Sequence, residues 1–567
     1  RGVASYLTDP QDLKSSYDAV VVGAGHNGLI SATYLAKHGL KVAVLERRHL
    51  IGGAAVTEEI IPGYKFSRAS YVLSLLRPTI IKELELKKHG LEVYPRSTAA
   101  FTPILNKAEP NKHRYLMLSS DRQKTFEEIS KFSEKDAKAY FEYEEMIDAM
   151  ASAVKPLLEH PPPTNKGSIL EVFNVFLISF RFFKSRFFNH CVIHTITPWM
   201  VDFITFQEML CDCYNKQILS RWFESDALKA TLATDGVIGA MLSPESAGSG
   251  YVLLHHVIGE VNNVPGTWGY VRGGMGSVSN SIAAAAKQHG VDIFVSQEVE
   301  KIDVKNEVVK GVALKNGKFV ASKHVLSNAT PHVTFKKLLP NNATSNKDYM
   351  QKIDQFDYTS PVTKINVAVN TLPNFISLPN VGHGVVGEQH KGTIHLNSEH
   401  MTLIHDAYLD AMNGRPSKVP MIEMCIPSSV DPTLAPPGHH VISLFTQYTP
   451  YYLDGGRKWT DADKSQYVNT VFENIEKYAP GFQESVVGYD ALLPSDLEEV
   501  FGLTGGNIFH GSMSLDQLLF CRPTTAMNSH QTPVKGLYLC GSGTHPGGGV
   551  MGASGKLAAM SLIKDNK

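Results

Sequence analysis

Residues 18–28 read DAVVVGAGHNG, and this stretch decides the fold that the sequence predicts. An apolar strand runs into a G-x-G-x-x-G turn, which opens a helix expected from Leu29 to Lys37. Gly23 permits the tight turn, Gly25 lets a pyrophosphate approach the backbone, and Gly28 lets the helix pack closely on the strand. The free N–H groups at the helix start then stabilise the pyrophosphate.

A second strand, residues 40–45, follows this helix and ends at Glu46. A carboxylate at that place accepts hydrogen bonds from an adenosine ribose. The glycine motif alone is weak evidence, and a glycine-rich turn formed by chance is the alternative. Here the strand, the helix, the second strand and the acid all agree, which is the context that the motif requires. The sequence therefore predicts a βαβ dinucleotide site.

Residues 47–53 read RRHLIGG, an R-x-x-x-x-G-G motif directly after the acid. The second glycine pair, Gly52 and Gly53, brings another backbone segment near the pyrophosphate, as a longer and more buried dinucleotide needs. This favours FAD over NAD. We assign Arg47 to the site and interpret Arg48 as a solvated basic residue.

The C-terminal region predicts a second anchor for the same ligand. Residues 534–541 read as a short strand, three glycines follow at 547–549, and a helix of small residues runs from Ala553. Consecutive glycines cost conformational entropy unless a ligand approaches the backbone closely. A helix start there could place its positive end on the flavin. A plain glycine-rich loop is the alternative.

The middle of the chain supplies a third segment. WGYVRGGMGS at residues 268–277 precedes an alanine-rich helix to Gln288. Strands are expected at 291–295 and 298–304, and an Asn316-Gly317 turn joins two more strands. The last of these returns to the nucleotide sheet near residues 324–331.

These motifs together resemble the phytoene-dehydrogenase-related flavoproteins along nearly the whole chain. The resemblance rests on residues 22–29, 46–48, 52–54, 272–276 and 544–550. It implies an α/β protein with α+β insertions: a glutathione-reductase-like, FAD-binding Rossmann fold with a discontinuous substrate domain and a helical cap. It also implies non-covalent FAD, with Val299 contacting adenine and Gly274, Met275 and the 544–550 loop around the isoalloxazine.

Many relatives of this kind place an acid where this chain has Ser542, so flavin binding must rely more on backbone donors. The complete set of predicted cofactor residues is Val22, Gly23, Ala24, Gly25, Asn27, Gly28, Glu46, Arg47, Gly52, Gly53, Ala54, Gly274, Met275, Val299, Gly541, Ser542, Gly548, Gly549 and Val550.

The predicted organisation interleaves cofactor and substrate parts. It consists of an N-terminal segment (1–16), FAD-binding parts (17–75, 261–339 and 511–567), a substrate and helical cap domain (76–260) and a substrate β-sheet part (340–510). Within the cap, residues 167–206 are rich in Phe with interspersed Arg and Lys. That composition fits peripheral membrane contact or a substrate entrance, and a cap packed on the core is the simpler interpretation.

Composition excludes several other functions. The formal net charge of −1 over 567 residues provides no field for nucleic acid. The six cysteines include no C-x-x-C pair, so neither a redox disulfide nor a cysteine zinc site is predicted. No metal site is expected. The sequence begins at Arg1, and residues 1–16 fit either a segment left by a removed presequence or a flexible segment. The first interpretation predicts a mitochondrial location, in the matrix or associated with the inner membrane.

Flavin oxidation demands few acid–base residues, because the donor carbon needs mainly to be held against N5. His545 is the first catalytic candidate, since it lies in the presumed flavin loop, followed by His255 and His256; His395 and His510 are further possibilities. We expect an FAD-dependent dehydrogenase or oxidase that takes hydride from a small-molecule substrate, apolar or an amine, and passes electrons to oxygen, a quinone or a carrier. A flavin-containing regulatory or binding protein with little catalysis is the alternative.

Overall fold

The computed structural model describes residues 6–106, 109, 112–162, 215–382, 384–525, 527 and 530–566. The strands are β1 (Ser16–Val22), β2 (Val42–Leu45), β3 (Thr57–Ile61), β4 (Tyr64–Ser67), β5 (Val93–Pro95), β6 (Thr98–Ile104), β7 (Arg114–Ser119), β8 (Glu260–Val261), β9 (Val264–Pro265), β10 (Gly269–Val271), β11 (Asp292–Phe294), β12 (Val299–Lys305), β13 (Val308–Leu314), β14 (Phe319–Ser327), β15 (Thr363–Val369), β16 (Thr393–Leu396), β17 (Met421–Cys425), β18 (His440–Gln447), β19 (Val486–Leu492) and β20 (Leu537–Leu539).

The helices connect these strands and cover the sheets. They are α1 (His26–Lys37), α2 (Pro78–Glu83), α3 (Arg122–Ser130), α4 (Glu134–Glu159), α5 (Asn215–Trp222), α6 (Asp226–Thr234), α7 (Ser249–Val257), α8 (Gly276–Gln288), α9 (Lys347–Gln355), α10 (Met401–Met412), α11 (Asp461–Tyr478), α12 (Phe482–Ser485), α13 (Pro494–Phe501) and α14 (Ala553–Asp565). The result is a mixed α/β fold with several sheets.

The first sheet is assembled from three distant parts of the chain. Its order is β11-β2-β1-β14-β13-β12, and β20 pairs with the end of β14. The strands β11, β2, β1, β14 and β20 run parallel, while β12, β13 and β14 form an antiparallel meander. Apart from Ser16 and Asp18, the residues of β1 and β2 are buried because both faces of this sheet are covered.

The helix α1 begins earlier than the sequence pattern predicts. It starts at His26 instead of Leu29, because Gly25 already has the extended conformation of a helix N-cap. Gly28 therefore lies in the first helical turn. The predicted hairpin at Asn316-Gly317 is confirmed between β13 and β14.

The second large sheet has the order β19-β15-β18-β17-β16-β6-β7. On one face, the apolar residues of β15 to β18 pack with α11 in a single buried cluster. Strand residues alternate between the two faces of a sheet, so their neighbours in sequence point the other way. That second face lines the cavity described below.

A layer of helices, α3 to α7, packs in its own apolar cluster next to β6 and β7. Residues 163–214, which include the Phe-rich stretch at 167–206, lie outside the described residues. Among the helices that the structure describes, none has the length and apolar character to span a bilayer.

Candidate active site

The glycine turn after β1 has the close approaches that its motif predicts. Gly23 has φ +96°, a conformation that favours glycine. A Cβ on Gly28 would lie 2.2 Å from the carbonyl oxygen of Gly23, so only glycine fits there. The second glycine pair comes next to this turn, because the N–H of Gly52 donates a 2.9 Å hydrogen bond to the carbonyl of Ala24. Two glycine-rich segments thus converge as the sequence predicts.

The carboxylate of Glu46 stabilises the glycine turn by accepting backbone hydrogen bonds. Oε2 accepts a 2.8 Å hydrogen bond from the N–H of Ala24, and Oε1 accepts one of 2.9 Å from the N–H of Arg48. Burial raises the pKa of Glu46, and the two backbone donors oppose that shift. Arg47 donates to the carbonyls of Glu499 and Val500, which ties the turn to α13.

Arg48 is not a solvated residue. Its guanidinium forms an ion pair with Glu58, 2.8 Å away, and both side chains are largely buried. The sequence interpretation was wrong at this residue, because the partner comes from β3 and the pairing is tertiary.

The C-terminal segment reaches the same place. The side-chain amide of Asn27 donates a 3.1 Å hydrogen bond to Oγ of Ser542, and the N–H of Gly555 donates to Oδ1 of Asn27. Ser542 is in turn fixed through its carbonyl, which accepts 3.0 and 2.9 Å hydrogen bonds from the fully buried Arg522. The first and last parts of the chain are therefore joined at the turn.

One cavity of about 1110 Å³ begins at this junction and extends to the second sheet. The predicted cofactor residues that line it are Val22, Gly23, Gly25, Asn27, Glu46, Arg47, Gly52, Gly53, Ala54, Val299, Ser542, Gly549 and Val550. The predicted residues outside its lining are Ala24, Gly28, Gly274, Met275, Gly541 and Gly548.

The residues outside the lining have structural contacts instead. The N–H of Met275 donates to Oγ of Ser67, and a Cβ on Gly274 would lie 2.4 Å from Oγ1 of Thr57. A Cβ on Gly548 would lie 2.4 Å from Phe509. These glycines allow segments to pack behind the cavity wall, and their assignment to the isoalloxazine stays a prediction.

The cavity fits a flavin dinucleotide on two grounds. Glycine backbone from two converging segments faces it, which is what close contact with a pyrophosphate requires. In addition, Nε2 of His26 and Nδ1 of His510 are buried without a hydrogen-bond partner among the described residues, and both side chains line the cavity. Buried polar atoms are normally paired, so orphaned ones in a cavity wall point to a polar ligand.

The three candidate catalytic histidines differ in whether they line the cavity. His545 lies outside the cavity lining, and its Nε2 is 2.8 Å from the carbonyl of Leu157. His255 also lies outside the lining, and burial lowers its pKa to about 3. Of these three histidines, only His256 lines the cavity, and its Nδ1 forms a hydrogen bond with the carbonyl of Val252. Of the two further possibilities, His395 and His510 both line it.

On the second sheet the sequence interpretation considered His395 but missed the neighbours of this residue. Lys364, Phe445, Glu423 and His395 are direct neighbours across β15, β18, β17 and β16, and all four line the cavity. We call this set the cross-strand row. Burial lowers the pKa of Lys364 to about 7, and its Nζ donates a 2.6 Å hydrogen bond to Asn366.

A signal for this row exists in the sequence. The strands read TKINVAV, TIHL and MIEMC, and each contains one Lys, His or Glu in a mainly apolar sequence. Alternation with a period of two assigns those side chains to a separate face. What the alternation could not supply was the register that aligns the strands.

Comparison with known proteins gives concordant results. Residues 28–563 match the family described as flavin containing amine oxidoreductase. A Rattus norvegicus protein named "Pyridine nucleotide-disulfide oxidoreductase domain-containing protein 2" is 51% identical, over 98% of this chain and 94% of its own. A phytoene desaturase (lycopene-forming) of Pseudescherichia vulneris is 23% identical, and the match covers 96% of this chain and 99% of the desaturase. A solved structure of putrescine oxidase bound to putrescine has a TM-score of 0.57 at 16% identity, covering 97% of this chain and 99% of that one.

Proposed function

The chain belongs to the flavin-containing amine oxidoreductase family and is an FAD-dependent oxidoreductase, and from this premise we propose that it oxidises a small organic molecule held against the cross-strand row. Bound FAD supplies a two-electron acceptor that takes hydride at N5. The protein contributes binding, orientation and the exclusion of water.

The observation that carries this proposal is the continuity of one cavity. Its lining includes Gly25 and Gly52 at the dinucleotide end and Lys364 and Glu423 at the far end. A substrate in the far part therefore shares one space with the cofactor segments. A regulatory flavoprotein has no need for such a chamber.

We propose that Gly23, Gly25 and Gly52 hold the pyrophosphate through main-chain N–H groups. In the same proposal, Glu46 binds the ribose and Val299 contacts the adenine. Gly549 and Val550 contact the flavin ring. The glutathione-reductase-like arrangement and non-covalent binding belong to it as well. Lining by these residues supports the assignment.

The walls of the far part indicate the kind of substrate. Aromatic surface of the cavity comes from Tyr71, Trp268, Phe445 and Phe509, and ionisable groups come from Lys364, Glu423 and His395 of the cross-strand row. We propose a substrate with an apolar body and one polar end. Oxidation of an amine fits the family description, and a mainly apolar donor fits the relatedness to a phytoene desaturase.

The remaining parts of the proposal concern the electron acceptor, the cellular location and the domain boundaries. Oxygen, a quinone or an electron carrier would reoxidise the flavin. A mitochondrial matrix location, membrane contact through residues 167–206 and the domain boundaries given above remain predictions from sequence. Of the histidines first considered, His256 is the one that we retain as a candidate for contact with substrate.

Anaerobic bleaching of the purified holoprotein tests the proposal. The flavin absorbance is followed after addition of putrescine, cyclohexylamine, a fatty alcohol or limonene, with dithionite as the control for a reducible flavin. We expect at least one donor to bleach the flavin within seconds to minutes. A flavin that dithionite reduces but that no organic donor reduces would contradict the proposal and favour the regulatory alternative.

A further inference from the structure

Glu423 occupies the middle of the cross-strand row. It lies on β17 between His395 on β16 and Phe445 on β18, and only 5% of its surface is exposed. It nonetheless lines the cavity, so its carboxyl group faces the chamber instead of the packed side of the sheet. Burial of an ionisable group without a full ion pair is costly and needs a reason.

The two carboxyl oxygens of Glu423 have different surroundings. Oε2 accepts a 2.8 Å hydrogen bond from the phenol of Tyr71. Oε1 lies 3.8 Å from Nδ1 of His395, which is too long for a hydrogen bond. That nitrogen is buried and has no hydrogen-bond partner among the described residues. One oxygen is thus fixed, and the other is available to a molecule in the chamber.

Tyr71 connects this carboxyl group to the cofactor segment. The residue next to it, Ser70, donates a 3.0 Å backbone hydrogen bond to Ala54, directly after the second glycine pair. The Tyr71 ring also lies against Phe445, with centroids 5.8 Å apart, and Nζ of Lys364 is 5.5 Å from the ring centroid. The Tyr71 ring therefore packs against two residues of the cross-strand row.

Charged groups face Glu423 from several elements. Asp235, which follows α6, and Arg96, which precedes β6, both act on it electrostatically, and Cys425 lies two residues further along β17. His256 on α7 faces Asp235 in turn. Burial, followed by the charge of Asp235, raises the pKa of Glu423 to about 8. Burial also keeps the Tyr71 phenol protonated and lowers the pKa of His395 to about 3.

We propose that Glu423 is a catalytic residue that takes the proton released when the substrate is oxidised, and that Tyr71 positions it. The inference rests on the proposed function. The substrate class is a primary or secondary amine or an alcohol, with hydrogen on the carbon and on the heteroatom. The C–H bond breaks, and its hydrogen and electron pair would leave together as hydride to FAD, the two-electron oxidant of the proposed function. The N–H or O–H bond breaks, its proton goes to Oε1, and its electron pair forms the C=N or C=O bond.

The proposal requires the deprotonated carboxylate, and its protonation state can be measured without a substrate. Infrared difference spectra of the wild-type and Glu423→Gln holoenzymes, from about pH 6 to about pH 10, isolate the carboxyl band of this residue. We expect a band that disappears with a midpoint near pH 8. Glu473→Gln, on the exposed side of α11, is the matched control and should leave that band unchanged. A carboxyl band that persists up to about pH 10 would overturn the proposal, because Oε1 could then not accept a proton at any pH measured.

Flavin reduction by a donor from the panel, cyclohexylamine first, supplies the second measurement. We expect Glu423→Gln to lower the anaerobic reduction rate above pH 8 roughly 100-fold and to remove its rise with pH. Tyr71→Phe should keep that rise but move it to higher pH, because the phenol stabilises the carboxylate. Wild-type rates and an unchanged pH profile in Glu423→Gln would contradict the proposal and indicate Lys364 as the base. If no donor reduces any variant, the proposed function fails, while the infrared result still decides the state of Glu423.

Discussion

The side-chain amide of Asn27 donates a hydrogen bond to the hydroxyl of Ser542, 3.1 Å away and 515 residues later in the chain. Asn27 belongs to the first turn of α1, and Ser542 follows the last strand of the same sheet. The second amide atom, Oδ1, accepts from Gly555 at the start of α14. One buried amide therefore joins an N-terminal and a C-terminal segment of the chain at the glycine turn after β1.

Ser542→Ala should weaken this junction. The substitution leaves the buried Asn27 amide without its acceptor, which costs about 1–2 kcal/mol of unfolding free energy and a comparable part of FAD affinity. Thermal unfolding and titration of the deflavinated protein with FAD measure the two effects. Ser360→Ala is the matched control, because Ser360 is fully buried and its hydroxyl has no partner among the described residues. Equal effects of the two substitutions would show that the hydrogen bond does not matter.

Gly28→Ala should prevent stable flavin binding. Its Cβ would lie 2.2 Å from the carbonyl oxygen of Gly23, so β1 and α1 must separate, at a cost of about 2–3 kcal/mol. We expect purified protein with little flavin absorbance. Gly39→Ala, in the same βαβ unit, meets no atom within 4 Å and strains only its own backbone at φ +87°. It should keep its flavin, and a yellow Gly28→Ala protein with wild-type stability would contradict the steric argument.

Arg522→Met should destabilise the protein strongly. The guanidinium is fully buried and donates to the carbonyls of Phe509, Ser512, Gln517 and Ser542. Methionine fills similar space but leaves these acceptors unpaired, at a cost of about 3–5 kcal/mol. Differential scanning calorimetry measures the loss. Arg457→Met, which removes an exposed ion pair with Asp463, is the control and should change little.

Lys364→Met should change how stability depends on pH. Burial lowers the pKa of Lys364 from 10.5 to about 7, so the unfolded chain binds one more proton than the folded protein between those values. The wild-type free energy of unfolding should therefore rise as the pH increases from about 7 to about 10, by roughly 3 kcal/mol from this group. Lys364→Met should remove that rise, whereas the exposed Lys310→Met should keep it. Denaturant unfolding at several pH values provides the measurement, and parallel curves for wild type and Lys364→Met would refute the assignment.

The local sequence was sufficient to predict the geometry of the glycine turn after β1. The strand, the glycines and the acid at Glu46 are consecutive in the chain, and backbone geometry within a few residues explains why each is required. The glycines of the C-terminal loop likewise predicted a close approach to the backbone, since a run of glycines costs conformational entropy unless something packs on it.

Tertiary structure decided everything that depends on which distant segments meet. His545 lies in a glycine-rich loop, but its side chain forms a hydrogen bond with the carbonyl of Leu157 and does not line the cavity. Glu423 lies in a mainly apolar strand, yet it lines the cavity. Their roles follow from strand register and from the burial of charge, which arise only when β15 to β18 align and residues of α6 and α7 line the same cavity. A chain records each strand's alternation locally, but the free energy that selects one register comes from packing between segments hundreds of residues apart.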